Sequence, residues 1–367
     1  MKIAYYVHLN LKPGSGVYKK ILNQFNCWLE LRHDARLFII TRDEEVKNSL
    51  YSSNIREKVE VVMYPDGFNF SSLVKRLKAL DEIKDRILKW DPDILYTRQD
   101  LYYPPIAILA KKARFIAEIN TYDLAELWDY SKTQWLYSIL TRNKFLSFCS
   151  GFVFVTYELS NKEAYKKFNK AYAVIPNGIK LDEFDTLPPN FSDDVNLVFL
   201  GQGSYPWYGV DKILFLAKNF PKWNFHIIGF SNTISEKDLK NVFFHNFLPR
   251  EKYEEILKSA DCAIGTLALH RNKMNEACPL KTREYLAFGL PVIIGYSDTD
   301  FLEGADFILT LPNNENNVNK NLSEIEEFVL KWKGKRVPRD MINHLDICEK
   351  EKQRISFFQS VIERGHK

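Results

Sequence analysis

Two glutamates that lie eight positions apart, Glu276 and Glu284, have the type and spacing best suited to chemistry on a bound ligand. The segment 282–288 contains good helix formers, and Gly289 then suits a helix C-cap before an apolar strand. Glu284 is therefore expected in a first helical turn, close to backbone N–H groups that have no helical partner. Such a terminus favours a phosphate, and a carboxylate beside it can accept hydrogen bonds from sugar hydroxyls. The same spacing also fits an ordinary loop, helix and strand with two solvated glutamates.

A glycine-rich turn, residues 12–17, follows the first apolar strand. Gly14 and Gly16 let a backbone approach a ligand closely, and the N-terminus of the helix behind them favours phosphate. A plain turn between a strand and a helix explains the pattern equally well. The third glycine of a dinucleotide fingerprint is missing, and the next strand ends in Thr41 and Arg42 rather than an acidic residue, which counts against NAD.

A polar segment, residues 118–123, lies at the carboxyl end of another expected strand, 115–119. Asn120 in this segment cannot act as an acid or a base, but it can hydrogen-bond to a sugar hydroxyl. The alternative is a loop that caps the following helix through Thr121 or Asp123. Ligands of open α/β sheets bind beyond such strand ends, so Asn120 remains a candidate site residue.

Strands and helices alternate along the whole chain, which predicts parallel, doubly wound sheets. The first series has expected strands at 1–9, 35–41, 59–63, 94–96, 115–119 and 152–156, with helices such as 17–31, 72–90 and 161–168 between them. A second series starts at Asn196, with strands at 197–200, 224–228, 242–246 and 262–266 and helices at 211–219 and 250–259. A turn-forming Pro-Asn-Gly at 176–178 separates the two series. Two Rossmann-like domains are therefore expected, which also fits a length of 367 residues.

Composition excludes several classes of protein. A hydrophobic content of 46% with 14% aromatic residues supplies two packed cores and argues against disorder. The five cysteines are an odd number without metal-ligand spacing, which predicts reduced thiols in a cytoplasmic protein and no zinc site. The longest apolar run, 145–157, is too short to span a bilayer, and no secretory signal pattern starts the chain.

Charge is unevenly distributed between the two halves. Residues 1–180 carry 28 Lys and Arg against 20 Asp and Glu, a net charge of +8, and the remainder has a net charge of −4. Each basic cluster, such as 75–78 or 111–114, can be a solvated helix face. Together they suit an anionic surface, and a lipid-linked acceptor at a membrane fits better than nucleic acid, for which no binding motif is present.

The string EACPLKTREYLAFGLPVI, residues 276–293, closely resembles the signature of the family 4, retaining glycosyltransferases of the GT-B type, also called glycosyl transferases group 1. The segment VIPNGI at 174–179, with Asp182–Phe184 after it, is similar to the start of that family's second domain. The resemblance implies two Rossmann-like domains facing a central cleft. Residues 1–178 would form the acceptor-side domain, and 179–344 the domain that binds the nucleotide sugar, with a final helix at about 345–367 packing back on the first.

The resemblance also implies roles for particular residues. Catalytic roles are expected for Glu276, which would hold the donor sugar, for Asn120 beside that sugar, and for Lys281 at the departing diphosphate. Glu284 would accept from the ribose hydroxyls. The remaining residues expected to bind the donor are Gly14, Gly16, Gly203, Arg271, Pro279, Leu280 and Thr282. No Asp-x-Asp pair stands at a suitable strand end, so neither a metal nor another cofactor is expected.

The segment 201–210 departs from the family pattern. Relatives commonly carry there an Arg and a Lys that grip the donor's diphosphate, but this chain has Tyr208 in place of the Lys and no basic residue between Gly201 and Val210. A diphosphate still needs compensating positive charge. Lys281 is the first candidate for it, and Arg271 and Lys273 are the second, with exposed loop charges as the alternative for that pair.

The sequence thus predicts a cytoplasmic enzyme, possible at the inner membrane face, that transfers a hexose from a nucleoside diphosphate to a hydroxyl of a glycan or lipid-linked acceptor. Synthesis of surface polysaccharide or another glycoconjugate is the expected process. A non-catalytic GT-B protein that binds a nucleotide or a glycan is the alternative that the missing basic pair favours. A sugar-nucleotide epimerase or a cofactor-dependent oxidoreductase is a further class with two Rossmann-like domains, and the incomplete dinucleotide fingerprint counts against the oxidoreductase.

Overall fold

The structure is a computed structural model that describes residues 1–67, 70–201, 203, 205–230 and 239–364. The chain divides into two compact units. Unit 1 comprises Met1–Gly178 and Ile347–Lys367, and unit 2 comprises Ile179–Asp346. The division after Gly178 falls in the turn formed by Pro176, Asn177 and Gly178.

Unit 1 alternates strands with helices. Its strands are β1 (Lys2–His8), β2 (Asp34–Thr41), β3 (Val59–Met63), β4 (Ile94–Arg98), β5 (Arg114–Ile119), β6 (Gly151–Phe154) and β7 (Ala171–Val174). Its helices are α1 (Gly16–Glu30), α2 (Glu44–Tyr51), α3 (Phe70–Trp90), α4 (Pro104–Ala110), α5 (Asp123–Tyr130), α6 (Lys132–Phe148), α7 (Tyr157–Ser160) and α8 (Glu163–Lys166). The strands form one sheet in the order β3-β2-β1-β4-β5-β6-β7, and all neighbouring pairs are parallel. Helices cover both faces of such a sheet, which explains why its central strands are apolar on both sides.

Unit 2 repeats this plan with a smaller sheet. Its strands are β8 (Val195–Leu200), β9 (Trp223–Ile228), β10 (Val242–His245), β11 (Cys262–Ile264), β12 (Glu276–Ala277), β13 (Val292–Ile294), β14 (Ser297–Asp298) and β15 (Ile308–Thr310). Its helices are α9 (Val210–Asn219), α10 (Arg250–Ser259), α11 (Leu280–Ala287) and α12 (Leu322–Trp332). The main sheet has the parallel order β10-β9-β8-β11-β13-β15, and β12 pairs with β14 alone. None of the helices in the described ranges has the length and apolarity to span a bilayer.

The last helix, α13 (Ile347–Arg364), belongs to unit 1 and packs against α1. Trp28 of α1 donates from Nε1 to Oε2 of Glu351 at 2.7 Å, and Arg354 donates to the same oxygen at 2.9 Å. Arg354 also donates to the Tyr96 hydroxyl of β4 at 2.8 Å. The Phe358 ring packs on Trp28 and Tyr96. A buried charge pair is tolerated here because each charge has hydrogen-bond partners.

Two expected helices differ from the observed ones. The helix expected over 161–168 is shorter, because Lys162 is extended and α8 covers only Glu163–Lys166. The final helix expected at about 345–367 starts at Ile347, and a 3-10 helix, Arg339–Leu345, precedes it.

The expectation of five reduced thiols is wrong for two of them. Cys27 of α1 and Cys348 of α13 form a disulfide with a Cα–Cα distance of 5.6 Å, although they lie 321 positions apart in the chain. Cys149, Cys262 and Cys278 are free and buried. Sequence spacing carried no sign of the pairing, because only the packing of α13 on α1 brings the two sulfurs together.

We expect three reactive thiols, rather than five, when the air-oxidised chain is denatured without reductant and titrated with a thiol reagent. Cys348→Ser should lower the free energy of unfolding by about 2–4 kcal/mol relative to the oxidised protein, because the cross-link restricts the unfolded chain. The same change should have no such effect when both proteins are measured in reductant. A titration of five thiols would contradict the disulfide.

Candidate functional site

The glutamate motif of unit 2 consists of a short strand, a turn and a helix. β12 carries Glu276 and pairs in parallel with β14, so that Glu276 stands opposite Ser297. Glu276 is 7% exposed. Pro279 is the extended residue at the start of α11, and Leu280 is the first helical residue. The first glutamate is therefore held on a paired strand just before a helix N-terminus.

The expected position of Glu284 in the first turn is wrong, because α11 begins two residues earlier than the sequence suggests. Leu280 and Lys281 are helical, which makes Glu284 the fifth residue of the helix. The amides of Thr282 and Arg283 donate to the Pro279 carbonyl at 3.1 and 3.3 Å. The N–H groups that can serve a ligand are therefore those of the first turn, at the Pro279–Leu280 end.

Buried side chains of α11 fix the helix in place. The Arg283 guanidinium makes ion pairs with Asp298 at 2.7 Å and Asp300 at 2.8 Å. Thr282 is fully buried, and its hydroxyl hydrogen-bonds to that of Tyr296 at 2.8 Å. The side chain of Thr282 therefore contributes to packing, and its amide is used within the helix, so Thr282 holds α11 in place rather than facing a ligand.

Glu284 has a partner that the sequence did not indicate. The Tyr253 hydroxyl of α10 donates to Oε1 of Glu284. Burial raises the pKa of Tyr253, and the charge of Glu284 raises it further, so the phenol remains a donor at neutral pH. The bond orients the carboxylate, whose oxygens are acceptors for hydroxyl groups.

Lys281 projects from the first turn of α11 onto two aromatic rings. Its Nζ lies 3.7 Å from the ring centroid of Tyr208 and 4.3 Å from that of Phe199. The ammonium is buried and has no hydrogen-bond partner among the described residues. Burial lowers the pKa of Lys281 to about 7. Cation–π contacts compensate part of the lost hydration, but three donors remain unused.

The segment 201–210 provides one wall of this lysine's environment. Gly203 and Gly209 have positive φ angles of 77° and 73°, and a Cβ on Gly209 would lie 3.0 Å from that of Leu267. The Tyr205 and Trp207 rings stack with centroids 4.5 Å apart. Two other residues of the segment, 202 and 204, lie outside the described part of the chain. The aromatic residues therefore occupy the stretch in which the family pattern has basic ones.

The two other candidates for the positive charge are Arg271, which is ion-paired, and Lys273, which is exposed. The Arg271 guanidinium donates to both carboxylate oxygens of Asp211 at 2.8 Å and also to Glu315. Hydrogen bonds from Arg271 and His270 lower the pKa of Glu315 to about 2, so these carboxylates remain charged partners of Arg271. Lys273 is exposed, with a positive φ of 54°. Arg271 therefore has its charge already matched, whereas Lys281 does not.

Unit 1 contains the other candidate residues. Gly14 has a φ of 88° and open space around the position of a Cβ. Ser15 caps α1 by accepting from the Tyr18 amide at 3.3 Å, and Gly16 is the first helical residue. The glycine turn thus leads directly into the N-terminus of α1.

Asn120 follows β5 and lines a cavity of about 380 Å³ within unit 1. Its Oδ1 accepts from Lys20 at 2.9 Å, and the same ammonium pairs with Glu118. Burial opposes ionisation of Glu118, but the charges of Lys20, Arg354 and Arg98 together outweigh it and lower the pKa of Glu118 to about 2. The cavity is lined by Arg98, Gln99, Asp100, Leu101, Glu118, Asn120, Thr121, Asp123, Leu127, Gln134 and Ser138.

Comparison with known protein families gives a match within unit 2. Residues 189–300 match the family model described as Glycosyl transferases group 1, and this segment includes both glutamates, Lys281 and the segment 201–210. No curated protein sequence matches the chain. The match to the family model agrees with the resemblance seen in the sequence at 276–293.

Solved structures resemble the whole chain. A glycosyltransferase from Rickettsia africae has a TM-score of 0.68 at 13% identity, with 98% of this chain and 99% of that chain covered. Sucrose-phosphate synthase from Thermosynechococcus elongatus has a TM-score of 0.64 at 12% identity, with coverages of 100% and 97%. HepE from Anabaena, in complex with UDP and glucose, has a TM-score of 0.62 at 14% identity, with coverages of 98% and 100%. These similarities confirm the predicted GT-B fold class, with two Rossmann-like α/β units.

We expect Lys281→Met to stabilise the ligand-free protein by about 1–3 kcal/mol at neutral pH, because it removes a buried donor group without partners. Between pH 7 and 10.5 the unfolded chain holds a proton on Lys281 that the folded chain tends to release, so this residue makes stability rise with pH. Urea unfolding of wild type and variant across that range measures both effects. Lys252→Met, an exposed lysine of α10, is the control. Equal pH slopes in wild type and Lys281→Met would contradict the assignment.

Proposed function

We propose that this chain is a retaining glycosyltransferase that moves a hexose from a nucleoside diphosphate to a hydroxyl of a glycan or lipid-linked acceptor. The match of residues 189–300 to Glycosyl transferases group 1 carries the proposal, because it contains the complete glutamate motif. A cytoplasmic role in the synthesis of surface polysaccharide or another glycoconjugate agrees with this activity. Support for a uridine nucleotide comes from the similar fold of HepE, which was solved with UDP and glucose.

The two glutamates have separate roles in this proposal. Glu284, oriented by the hydrogen bond from Tyr253, accepts from the ribose hydroxyls. Glu276, buried on β12, accepts from hydroxyls of the donor sugar and favours the positive charge that develops at the anomeric carbon. In the reaction the anomeric bond to the diphosphate breaks, and a bond to the acceptor oxygen forms on the same face of the sugar.

Lys281 is proposed to bind the diphosphate. Its ammonium lies within the glutamate motif and has no hydrogen-bond partner among the described residues. A diphosphate would supply the missing acceptors. The first-turn amides of α11, those of Leu280 and Lys281, would add backbone donors. Negative charge beside Lys281 would raise its pKa above the value of about 7 in the ligand-free site. A lysine that becomes fully charged on binding can stabilise the leaving group without a metal.

The candidate residues of unit 1 complete the proposal. The turn at Gly14 and Gly16 offers space for a ligand close to the backbone, and Asn120 offers an amide to a sugar hydroxyl. Gly203 permits the turn that leads to Tyr208, and Arg271 supports the same segment through the Pro206 carbonyl at 3.0 Å. Thr282 supports the site indirectly, by anchoring α11 to Tyr296.

The first test is a titration of the purified chain with UDP, GDP, ADP and CMP and their sugar conjugates by calorimetry. Lys281→Met and Glu284→Gln should each weaken binding of the preferred nucleotide about tenfold to a hundredfold, the worth of a hydrogen bond to a charged group. Tyr253→Phe should have a smaller effect, because it removes only the orienting bond. Lys252→Met should bind as wild type does.

The second measurement separates catalysis from binding. Glu276→Gln should retain nucleotide affinity within about threefold, since it touches only the sugar in this proposal, while hydrolysis of the donor in the absence of acceptor drops by at least about a hundredfold. Binding of a nucleotide with no hydrolysis or transfer in the wild type would favour the non-catalytic GT-B protein. No binding of any nucleotide would overturn both.

We further propose that unit 1 docks on an anionic bilayer through the outer face of α6. Leu136, Ile139 and Leu140 are exposed on this helix, and Leu140 is 71% exposed. α4 packs beside α6 and exposes Ile108, and it is followed by lysines 111 and 112. An apolar face bordered by lysines fits the interface of a membrane with negatively charged lipids. Such a surface would bring a lipid-linked acceptor to the enzyme.

Cosedimentation with vesicles tests this surface. We expect binding to vesicles of phosphatidylcholine and phosphatidylglycerol but not to phosphatidylcholine alone. The double change Leu136→Glu and Leu140→Glu should reduce binding at least about tenfold, since it removes two apolar contacts and adds repulsion. Leu330→Glu, at an equally exposed leucine of unit 2, is the matched control. Wild-type protein that stays in the supernatant with both vesicle types would contradict the surface.

A further inference from the structure

The cavity of unit 1 has polar walls. It lies where β4 and β5 end, and amide, hydroxyl and carboxylate groups line it, with Leu101 and Leu127 as its apolar part. Its volume of about 380 Å³ is near the lower end of the range of roughly 300–1,000 Å³ found for ligand pockets. A space of this size with many donors and acceptors suits one hydroxyl-rich ring rather than a large apolar molecule.

The carboxylates around the cavity already have cationic partners. Glu118 pairs with Lys20, and both side chains are almost fully buried. Asp123 accepts from Nε of Arg142 at 2.8 Å.

The third carboxylate, Asp100, is 3.0 Å from Nδ1 of His8, which in turn is 3.0 Å from Arg76. Burial opposes ionisation of Asp100, but His8 and Arg76 outweigh it and lower the pKa of this carboxyl. Glu118 and Asp100 therefore remain charged, and each of the three carboxylates has a basic side chain as partner.

Arg98 is the exception in this balance. It stands at the end of β4 and lines the cavity, and no hydrogen bond or ion pair joins its guanidinium to a described residue, although its charge helps to lower the pKa of Glu118. It therefore gives the cavity one positive charge in excess of the matched pairs. A planar guanidinium with free donors is the side chain best suited to a carboxylate or a phosphate.

A second unused group lies beside it. Oε2 of Glu118 is buried and has no hydrogen-bond partner among the described residues. Because Glu118 remains ionised, with a pKa of about 2, this oxygen only accepts. A ligand that satisfies both groups must present an anion to Arg98 and hydroxyl donors to the carboxylate and amide side.

We propose that this cavity binds one sugar ring that carries a single anionic group, with the anion on Arg98 and ring hydroxyls on Gln99, Asn120 and Glu118. The ligand chemistry is therefore an acidic sugar or a sugar phosphate. Its identification as the acceptor of the transfer rests on the proposed function, whereas the binding site itself does not. Under that function, the enzyme extends an acidic glycan or a phosphate-bearing one.

Calorimetry on the full chain tests the site with glucuronate, galacturonate, glucose 6-phosphate and mannose 6-phosphate. The neutral parent sugars and inorganic phosphate serve as comparison ligands. At least one anionic sugar should bind about tenfold more tightly than its neutral parent and than inorganic phosphate, a difference of about 1.4 kcal/mol. A preference for the uronates identifies a sugar carboxylate, and a preference for the sugar phosphates identifies a phosphate.

Arg98→Gln should abolish the preference for the anionic sugar, whereas Arg56→Gln, an exposed arginine of the same unit, should keep it. Lys281→Met and Glu284→Gln should also keep it, so that a failed donor site and a failed sugar site are told apart. The proposal is overturned if no anionic sugar is preferred by the wild type, or if inorganic phosphate binds equally well. It is also overturned if folded Arg98→Gln retains the preference.

Discussion

The position of the glutamate motif depends on one buried arginine and its two carboxylate partners. Arg283 is completely buried and is held by Asp298 and Asp300. Asp298 lies on β14, opposite Ala277 of β12, so the guanidinium ties α11 to the strand pair that carries Glu276. Loss of one member of such a pair leaves a charge without compensation in the core, which costs about 3–5 kcal/mol. The relative position of the two glutamates is therefore maintained by charged side chains that are buried in the core.

Polar groups that the fold leaves unmatched are found at the candidate sites. The Lys281 ammonium faces two rings without a hydrogen-bond partner among the described residues, and the Arg98 guanidinium lines a cavity in the same condition. Arg271, by contrast, is paired with Asp211 and Glu315. Since a buried donor without an acceptor lowers stability, Lys281 is expected to obtain one from a ligand, and Arg98 offers its donors to an anion in the cavity.

Replacement of the basic residues in segment 201–210 changes how a diphosphate can be neutralised. In this chain Tyr208 covers the lysine of the following helix, and burial brings the pKa of Lys281 to about 7. Under the proposed function, the positive charge for a diphosphate would come from the first turn of α11, beside the backbone donors of the helix N-terminus. A phosphate there contacts side chain and backbone of the same element.

The sequence by itself determined the alternation of strands and helices, the boundary after Gly178 and the glutamate motif, because local periodicity and turn residues encode them. Partners distant in the chain were decided only by tertiary structure. The bond from Tyr253 to Glu284 and the disulfide of Cys27 with Cys348 join segments with no common pattern. α11 also begins two residues earlier than expected, since side-chain packing can extend a helix beyond the residues with the highest helix propensity. The ion pairs around the cavity of unit 1, in which Arg98 takes no part, likewise join residues that only the fold brings together.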